Sequence, residues 1–537
     1  MLTSPQVSLV SDQKCAVKLH NDESCLREVV PGSEWCIFHY PEKTGELAER
    51  FEKAFLEEML RQEKMDRFFD FTGFDFPNML FFELSFSKEV YFDKAVFRRE
   101  VSFGDPYQDV ILVFREFARF DLATFEESAY FDGVNFKGGV GFDSTTFKGG
   151  AGFRETTFEG VALFNGATFE GIAGFNEATF KGDARFIRTT FKEGAIFDRT
   201  TFEESAWFFS ATFKGDVEGS FERSVRFTRA TFKGDAWFDE VTFKGDAYFL
   251  RTTFKENLEL NDLQVSNELI FSQIILEKRF TLRIEKWMLK TTDTGKTSIY
   301  SVQIRDPIVN TNGKIVIKGK LGVNTPEIIA GISILNTELE KVEFIDETWM
   351  HEFNEPKRRK IIIDEILLSK QIEHGAEPRF EITPDQVAQT YRRLRENYEK
   401  AKRYSEAGDF LIGEMEVIRK YKPGLPTKNS KRPWYDPTKI LFSLYYALGK
   451  YGESISRPLL SAVALILLAA EFTCFYTYDP NTKISIVVHF LASLQKTLEA
   501  FFPFNKSLTP FDLYMKLVGS LLLALTFIAL RRRLERR

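Results

Sequence analysis

The chain has 537 residues, too many for one domain, and its formal net charge of −6 leaves no long basic stretch before the last seven positions. That balance excludes nucleic-acid binding through a basic surface as a leading role. Composition is skewed to 57 Phe and 33 Gly against 8 Met and 5 His, which calls for a repeat with Phe at fixed positions. Met1 to Lys14 has no apolar core and does not read as a secretory signal. Three of the four cysteines fall within the first 36 residues, a crowding that points to metal and not to disulfides. Cys15, Cys25, Cys36 and His39 follow the spacing C-x9-C-x10-C-x2-H. A Cys-x-x-His pair sets two ligands on one tight turn, and two distant thiolates complete a closed structural tetrahedron around Zn²⁺. His20 competes for one of the positions. The expected order is a zinc knob over 1–45 and a helical linker over 46–78, with a charged amphipathic helix from Phe51 to Lys64.

From Phe81, Phe recurs every 11 residues through Phe92, Phe103, Phe114 and Phe125 to Phe213, and a second series from Phe120 to Phe208 lies between. Steps along the ladder therefore alternate six and five. Two residues before most ladder Phe stands a small or β-branched residue, as in Ala167-Thr168-Phe169, and positions i and i−2 of an extended chain share a side. Each short strand thus buries a Phe and a small residue, and stacking the strands builds a Phe column. A helical supercoil has the same period, but the Gly and Thr of Thr145-Thr146-Phe147-Lys148-Gly149-Gly150 are poor helix formers.

These units resemble the Phe-rich variant of the pentapeptide-repeat family, with the likeness running from Phe81 to Leu276. The resemblance implies a mainly β fold, a right-handed quadrilateral β-helix with about 22 residues per coil and a rise of about 4.8 Å. Trp35-Cys36-Ile37-Phe38-His39 is also similar to the opening of some membrane-linked members. Local faults are expected at Tyr107-Gln108-Asp109, where a Phe is missing, and between Phe213 and Phe221, where an eight-residue step reads as a shortened turn. The ladder continues with Leu260, Val265, Phe271 and Leu276. Arg279 to Val323 reads as an insertion or distorted coils, and a five-residue step at Ile329, Ile334, Leu339, Phe344 and Trp349 closes the rod, which spans 79–350.

Thr383-Pro384-Asp385-Gln386 is a helix start, and two helices forming a connector are expected over 383–422. This pair resembles the connector of channel-like pentapeptide-repeat proteins and, more faintly, one tetratricopeptide unit. Lys422 to Pro437, with four prolines, reads as a linker. A membrane module over 438–537 follows: an interfacial helix, a span at 458–478, a re-entrant segment at 485–504 and a second span at 513–530. The Arg-rich tail and the sparse central loop place the N-terminal domains and the C-terminus in the cytoplasm of a multi-pass protein of the cell membrane. Tyr451-Gly452-Glu453 and the Arg-rich end resemble pentapeptide-repeat proteins that carry a two-span, ion-channel-like module. Thr497-Leu498-Glu499-Ala500-Phe501-Phe502 stands where such a channel has its filter, but it has no Gly for a carbonyl cage. Glu499, with Thr497, Phe501 and Phe502 around it, is the candidate selectivity group, against a plain interfacial helix. Glu471 is a second acidic residue at membrane depth, for a pore or for packing on a neighbouring subunit.

The five His are scattered and no phosphate-cradling Gly motif occurs, so no enzyme is expected. The leading expectation is a homo-oligomeric, cation-preferring pore, tetrameric by likeness to two-span channels, with a cytoplasmic β-helix for sensing or assembly. The alternative is a membrane-tethered β-helical scaffold that binds a protein on a rod face. A DNA-mimicking inhibitor needs a strongly acidic surface, whereas Phe180-Lys181-Gly182-Asp183 mixes both signs.

Overall fold

A repeat of five or six residues leaves room for a two-residue strand and a corner, and nothing longer. In the computed structural model most strands from Phe69 to Phe254 are two residues long, as at Thr168–Phe169 and Ala173–Gly174. The residues described are 13–535 without 21, 78–85, 105–111, 216–223, 285–286, 288–297, 326–327, 353–358, 375–380, 423, 426–429, 478–484 and 503–508. The chain divides into two units, Met1–Met350 and His351–Arg537.

In the first unit the strands stack into four parallel sheets of 12, 9, 11 and 9 strands among the described residues, the four walls of a quadrilateral β-helix. Thr168 pairs with Thr146 and Thr190, and Phe169 with Phe147 and Phe191, a register of 22 residues. Ladder Phe rings lie face to face along each column, with Phe153 and Phe175 4.7 Å apart and 2° from parallel. They meet the next column edge-on, as Phe164 and Phe175 do at 5.6 Å. Phe169 and Ala167 are fully buried, and Thr168 between them is half-exposed. Where Thr replaces Ala at the small position its hydroxyl is also buried, and a carbonyl of the preceding coil accepts from it. Thr145 donates to Phe120 O at 2.6 Å and Thr200 to Phe175 O at 2.7 Å. Corners bring coils too close for a side chain: a Cβ on Gly171 would lie 2.6 Å from Gly149 O.

Helix α1 (Glu46–Glu63) covers the N-terminal end of the rod. Its buried stripe is Phe51, Phe55, Glu58 and Gln62, at helical spacing. Phe55 packs on Phe71 at 5.0 Å and Phe51 on Phe76 at 5.5 Å. The Gln62 amide stands in for a missing strand, accepting from Asp70 N at 2.6 Å and donating to Asp70 O at 3.2 Å. An open sheet edge is thereby closed.

The rod departs from the sequence reading in three places. It starts at Phe69–Asp70, inside the expected linker. Phe92 stacks on Phe120 and Phe103 on Phe131, a spacing of 28, so the unbroken 11-residue step from Phe103 to Phe114 conceals six extra residues. Tyr107-Gln108-Asp109 falls in this stretch, outside the described residues. The eight-residue step after Phe213 is an insertion and not a shortened turn. Phe202 stacks on Phe232 and Phe213 on Phe243, 30 residues apart, so eight residues are added to the coil; Phe221 lies outside the described residues. Of the two readings of Arg279 to Val323, the described residues fit distorted coils and not an insertion: the coils continue with longer strands, Arg279–Ile284 pairing with Lys314–Lys320 and Glu268–Ser272 with Ser298–Arg305. The second sheet contributes no described strand beyond Gln264–Val265. At the far end, Gly322–Asn324 folds antiparallel onto Ile328–Ser333.

The second unit is helical. Helix α2 (Ile363–His374), which sequence reasoning did not anticipate, precedes α3 (Pro384–Lys400) and α4 (Tyr404–Lys420). Thr383 and Gln386 form a reciprocal capping box at the start of α3. Gly413 of α4 accommodates the Tyr391 ring, whose nearest atom would lie 2.3 Å from a Cβ there. Buried Glu365 accepts from Arg359 and Tyr391 at 2.7 Å and from Lys420 at 3.1 Å. Those cations hold its carboxyl down, to about 2, against the upward pull of burial. The two ends of the Pro-rich stretch after α4 are tied together: Tyr421 bridges to Lys431, and Arg432 donates to Ile418 O and Tyr421 O. Asp436 caps α5 (Pro437–Gly449), and α6 (Ser456–Thr477), α7 (Ile486–Phe501) and α8 (Pro510–Glu535) complete the chain.

Candidate functional site

Two sites emerge, a thiol–imidazole cluster in the first unit and a three-helix bundle in the second. In the cluster, a short hairpin with bridges Lys14↔Glu28 and Lys18↔Ser24 sets Cys15 against Arg27 and Cys25 against Val17, so the two cysteines lie on adjoining strands two residues out of register. A turn in which His39 N donates to Cys36 O at 3.0 Å brings the other two ligands in. The four ligand atoms all lie within 4.8 Å of one another. Cys25 Sγ is 3.8 Å from Cys36 Sγ, and His39 Nδ1 is 3.2 Å from Cys36 Sγ and 3.4 Å from Cys15 Sγ. Tetrahedral Zn–S bonds of about 2.3 Å require an S···S edge of about 3.8 Å, so the donor set fits zinc. The other imidazole nitrogen, Nε2, donates to Thr72 O at 3.0 Å, which leaves Nδ1 free to ligate. Arg27 donates to Cys25 Sγ at 3.1 Å and sets a positive charge against the surplus negative charge of three thiolates around a divalent ion. The hydrogen bond from Cys36, with Arg27 helping, holds the Cys25 thiol below its ordinary value. His20 stacks instead on Tyr91 at 3.6 Å and faces Asp93 at 3.3 Å, so it is not a member of the cluster. Arg27 and Thr72 carried no sequence signal of their own.

The cluster is also sewn to the rod. Thr72 belongs to the first coil, Asp75 N donates to Phe38 O at 2.8 Å, and Phe38 stacks on Phe74 at 4.6 Å. Buried Lys43 donates to Tyr40 O at 2.6 Å and Asp75 O at 2.5 Å, and burial pulls its ammonium down to about 8 despite Asp75.

In the second unit, α6 and α8 are each long and apolar enough to cross a membrane, over Ser456–Thr477 and Pro510–Arg532. Helix α7, at 16 residues about 24 Å long, is too short to do so. Its Ala500 and Phe501 form one cluster with Met515 and Leu522 of α8, and Leu465, Ile466 and Ala469 of α6 pack against that cluster. Gly519 lets the end of α7 approach, since a Cβ there would lie 2.3 Å from Phe501 O. Thr497 is fully buried and donates to Ser493 O at 2.8 Å. Thr497 and Phe501 therefore face the bundle interior, whereas Glu499 and Phe502 are exposed; the four filter candidates do not share one surface. Glu499 accepts from Gln495 at 3.2 Å. Glu471 is exposed on a stripe with Leu460, Ala464, Leu467 and Phe475.

A polar clasp that sequence reasoning missed ties α4 to the ends of both long helices. At the elbow between α5 and α6, Lys450, Tyr451 and Gly452 have φ of 49°, 58° and 83°. Tyr451 donates to Glu416 of α4 at 2.7 Å, and Arg532 of α8 donates to Tyr451 O at 2.7 Å. Its only sequence trace is the Tyr451-Gly452-Glu453 motif.

The family described as "Pentapeptide repeats (9 copies)" matches over residues 120–168, 164–212 and 220–264. These segments are pentapeptide repeats, in agreement with the stacked sheets they form. No curated protein and no solved structure matches the chain.

Proposed function

We propose that the protein is a homo-oligomeric, cation-preferring pore of the cell membrane, with a zinc-bearing β-helix on the cytoplasmic side for sensing or assembly. One observation carries this reading: a half-length helix packed between two long apolar helices, with two carboxylates, Glu471 and Glu499, on exposed faces. Carboxylates at membrane depth are costly against lipid and are retained where they face water, a cation or another subunit. One such bundle cannot enclose a water path, so the reading requires several copies, four by likeness to two-span channels. Glu499 from each copy then forms an acidic ring that favours cations, and Glu471 lies where copies meet.

The scaffold alternative draws support from the rod walls. Thr124, Thr146, Thr168, Thr190 and Thr212 form one flat column along the second sheet. Lys148–Glu126, Lys192–Glu170 and Lys233–Glu203 pair from coil to coil at 2.6–2.9 Å, giving a mixed-sign surface suited to a protein and unlike DNA. Native mass measurement in nanodiscs and cation flux into liposomes decide between the readings. The pore requires an oligomer and flux, with Glu471→Gln changing the oligomer population. A well-folded monomer without flux supports the scaffold.

A further inference from the structure

The helix expected from sequence to be interfacial is α5, and neither the pore nor the scaffold says what its exposed face, or the aromatic residues before it, would touch. Helix α5 is amphipathic across its width. Phe442, Tyr445 and Tyr446 turn inward onto the buried Tyr451 ring, at 6.2, 5.4 and 5.3 Å. Its outer stripe is apolar and bare: Ile440, Leu441 and Leu444 are 54%, 63% and 49% exposed. Immediately before it, Trp434 and Tyr435 project at 81% and 65% exposure, from the stretch that reads in sequence as a linker. Thirteen residues span about 20 Å, too short to cross a bilayer core of about 30 Å. The stripe also lies close in the chain to a helix long and apolar enough to cross a membrane, because only the six residues 450–455, opening with the elbow Lys450 to Gly452, separate α5 from α6. The adjoining charge is cationic: Lys422 and Arg432 lie 3.6 and 3.1 Å from Asp436, Lys439 reaches Arg432 O at 3.1 Å, and Lys431 is exposed.

We infer that Trp434, Tyr435 and the outer face of α5 form a lipid-docking surface that lies in the headgroup region of an anionic leaflet. The inference rests on the membrane reading of α6 and α8 and adds a contact that those helices do not require. An apolar helix face with aromatic residues at its edge and cations beside it partitions about 5–10 Å into the boundary between headgroups and acyl chains. Through the clasp from Tyr451 to Glu416, such docking holds α4 against the bilayer surface, so that the connector and the long helices share one mechanical base.

Trp434 makes the test direct, because the other five Trp all lie at or before position 349. The full chain is reconstituted into vesicles of phosphatidylcholine and phosphatidylglycerol with bromine placed shallow or deep on the acyl chains. The emission lost on Trp434→Phe is taken as the Trp434 signal. That signal should be quenched about twofold or more by shallow bromine and less by deep bromine, as an interfacial depth requires. Leu441→Glu should reduce the quenching while the protein stays in the vesicles. If the protein is incorporated but Trp434 is not quenched, the inference fails and the membrane reading stands, with a second copy or a protein then covering the face. If the protein is not incorporated at all, the membrane reading fails and takes the inference with it.

Discussion

Phe169 and Thr168 are neighbours with opposite fates, and the contrast measures what holds the rod together. Phe169 is fully buried between Phe147 and Phe191, at 4.8 and 4.9 Å, so Phe169→Ala removes contacts to two coils at once. It should cost about 3–5 kcal/mol, as large aromatic truncations do, and should lower the denaturation midpoint clearly. Thr168→Ser, on the half-exposed position, should leave the midpoint nearly unchanged; equal effects would place the wrong face inward. The corners carry a second residue-scale device, in which an Asp accepts a backbone N–H from the next coil: Asp121 from Asp143, and Asp143 from Asn165, at 3.0 and 2.9 Å. Burial first, and then the charge of Asp121, raise the Asp143 carboxyl, while the Asn165 N–H pulls the other way. A raised folded pKa means that the folded state holds the proton more tightly. The associated stability is therefore present below the ordinary aspartate range, about 3.9, and is lost as pH rises through the folded value. Asp143→Asn keeps the acceptor and discards the charge. It should raise the unfolding midpoint at pH 7 and leave it unchanged near pH 4, and a variant less stable than the parent at pH 7 would contradict this account. Asn165 fills the same role one coil on, accepting from Ile187 N at 3.3 Å.

At the scale of elements, the cysteine–histidine knob and α1 are the end cap of the β-helix and not an appendage. His39 is bonded to Thr72 O, and Phe38 O accepts from Asp75 N, so metal ligation and the first coil are one structure. The full chain should bind about one zinc, and Cys36→Ala should abolish it, because structural sites need all four ligands. Stripping the metal should speed amide exchange over Phe69 to Phe76 and spare the coils near Phe169; unchanged exchange at the first coil would separate the knob from the rod. Much of this was legible in the sequence, for physical reasons. The Phe column imposes a period that survives over many coils, and the Cys-x-x-His turn is a local signal. What escaped is equally physical. Six added residues between Phe103 and Phe114 turn a five-residue step into 11, the ladder's own half-coil spacing, so counting could not reveal them. The first coil, from Phe69, ends at its outer edge on a side chain, that of Gln62, where a further strand would continue the repeat. Helix α2 opens after Ile361-Ile362, a β-branched pair that argues for a strand. In the Pro-rich segment, Arg432 bonds the last carbonyls of α4 and brings the chain back to it, a contact that composition does not carry.

The whole molecule combines a repeat rod with flat walls and a separate bundle of two long apolar helices and a half-length one. Two long helices would suffice for an anchor, yet α7 is packed between them and Glu499 is kept on its outer face. Within the bundle, Thr497 and Phe501 are structural, so a selectivity change should follow Glu499 alone, with Thr497→Val acting on stability. The most direct test is the reversal potential of currents from the purified protein in planar bilayers under a potassium chloride gradient. The account predicts currents whose reversal lies toward the cation equilibrium potential, and Glu499→Gln should move it toward zero while the oligomer remains intact. Silent bilayers with correctly assembled protein, or a reversal potential indifferent to Glu499→Gln, would contradict it.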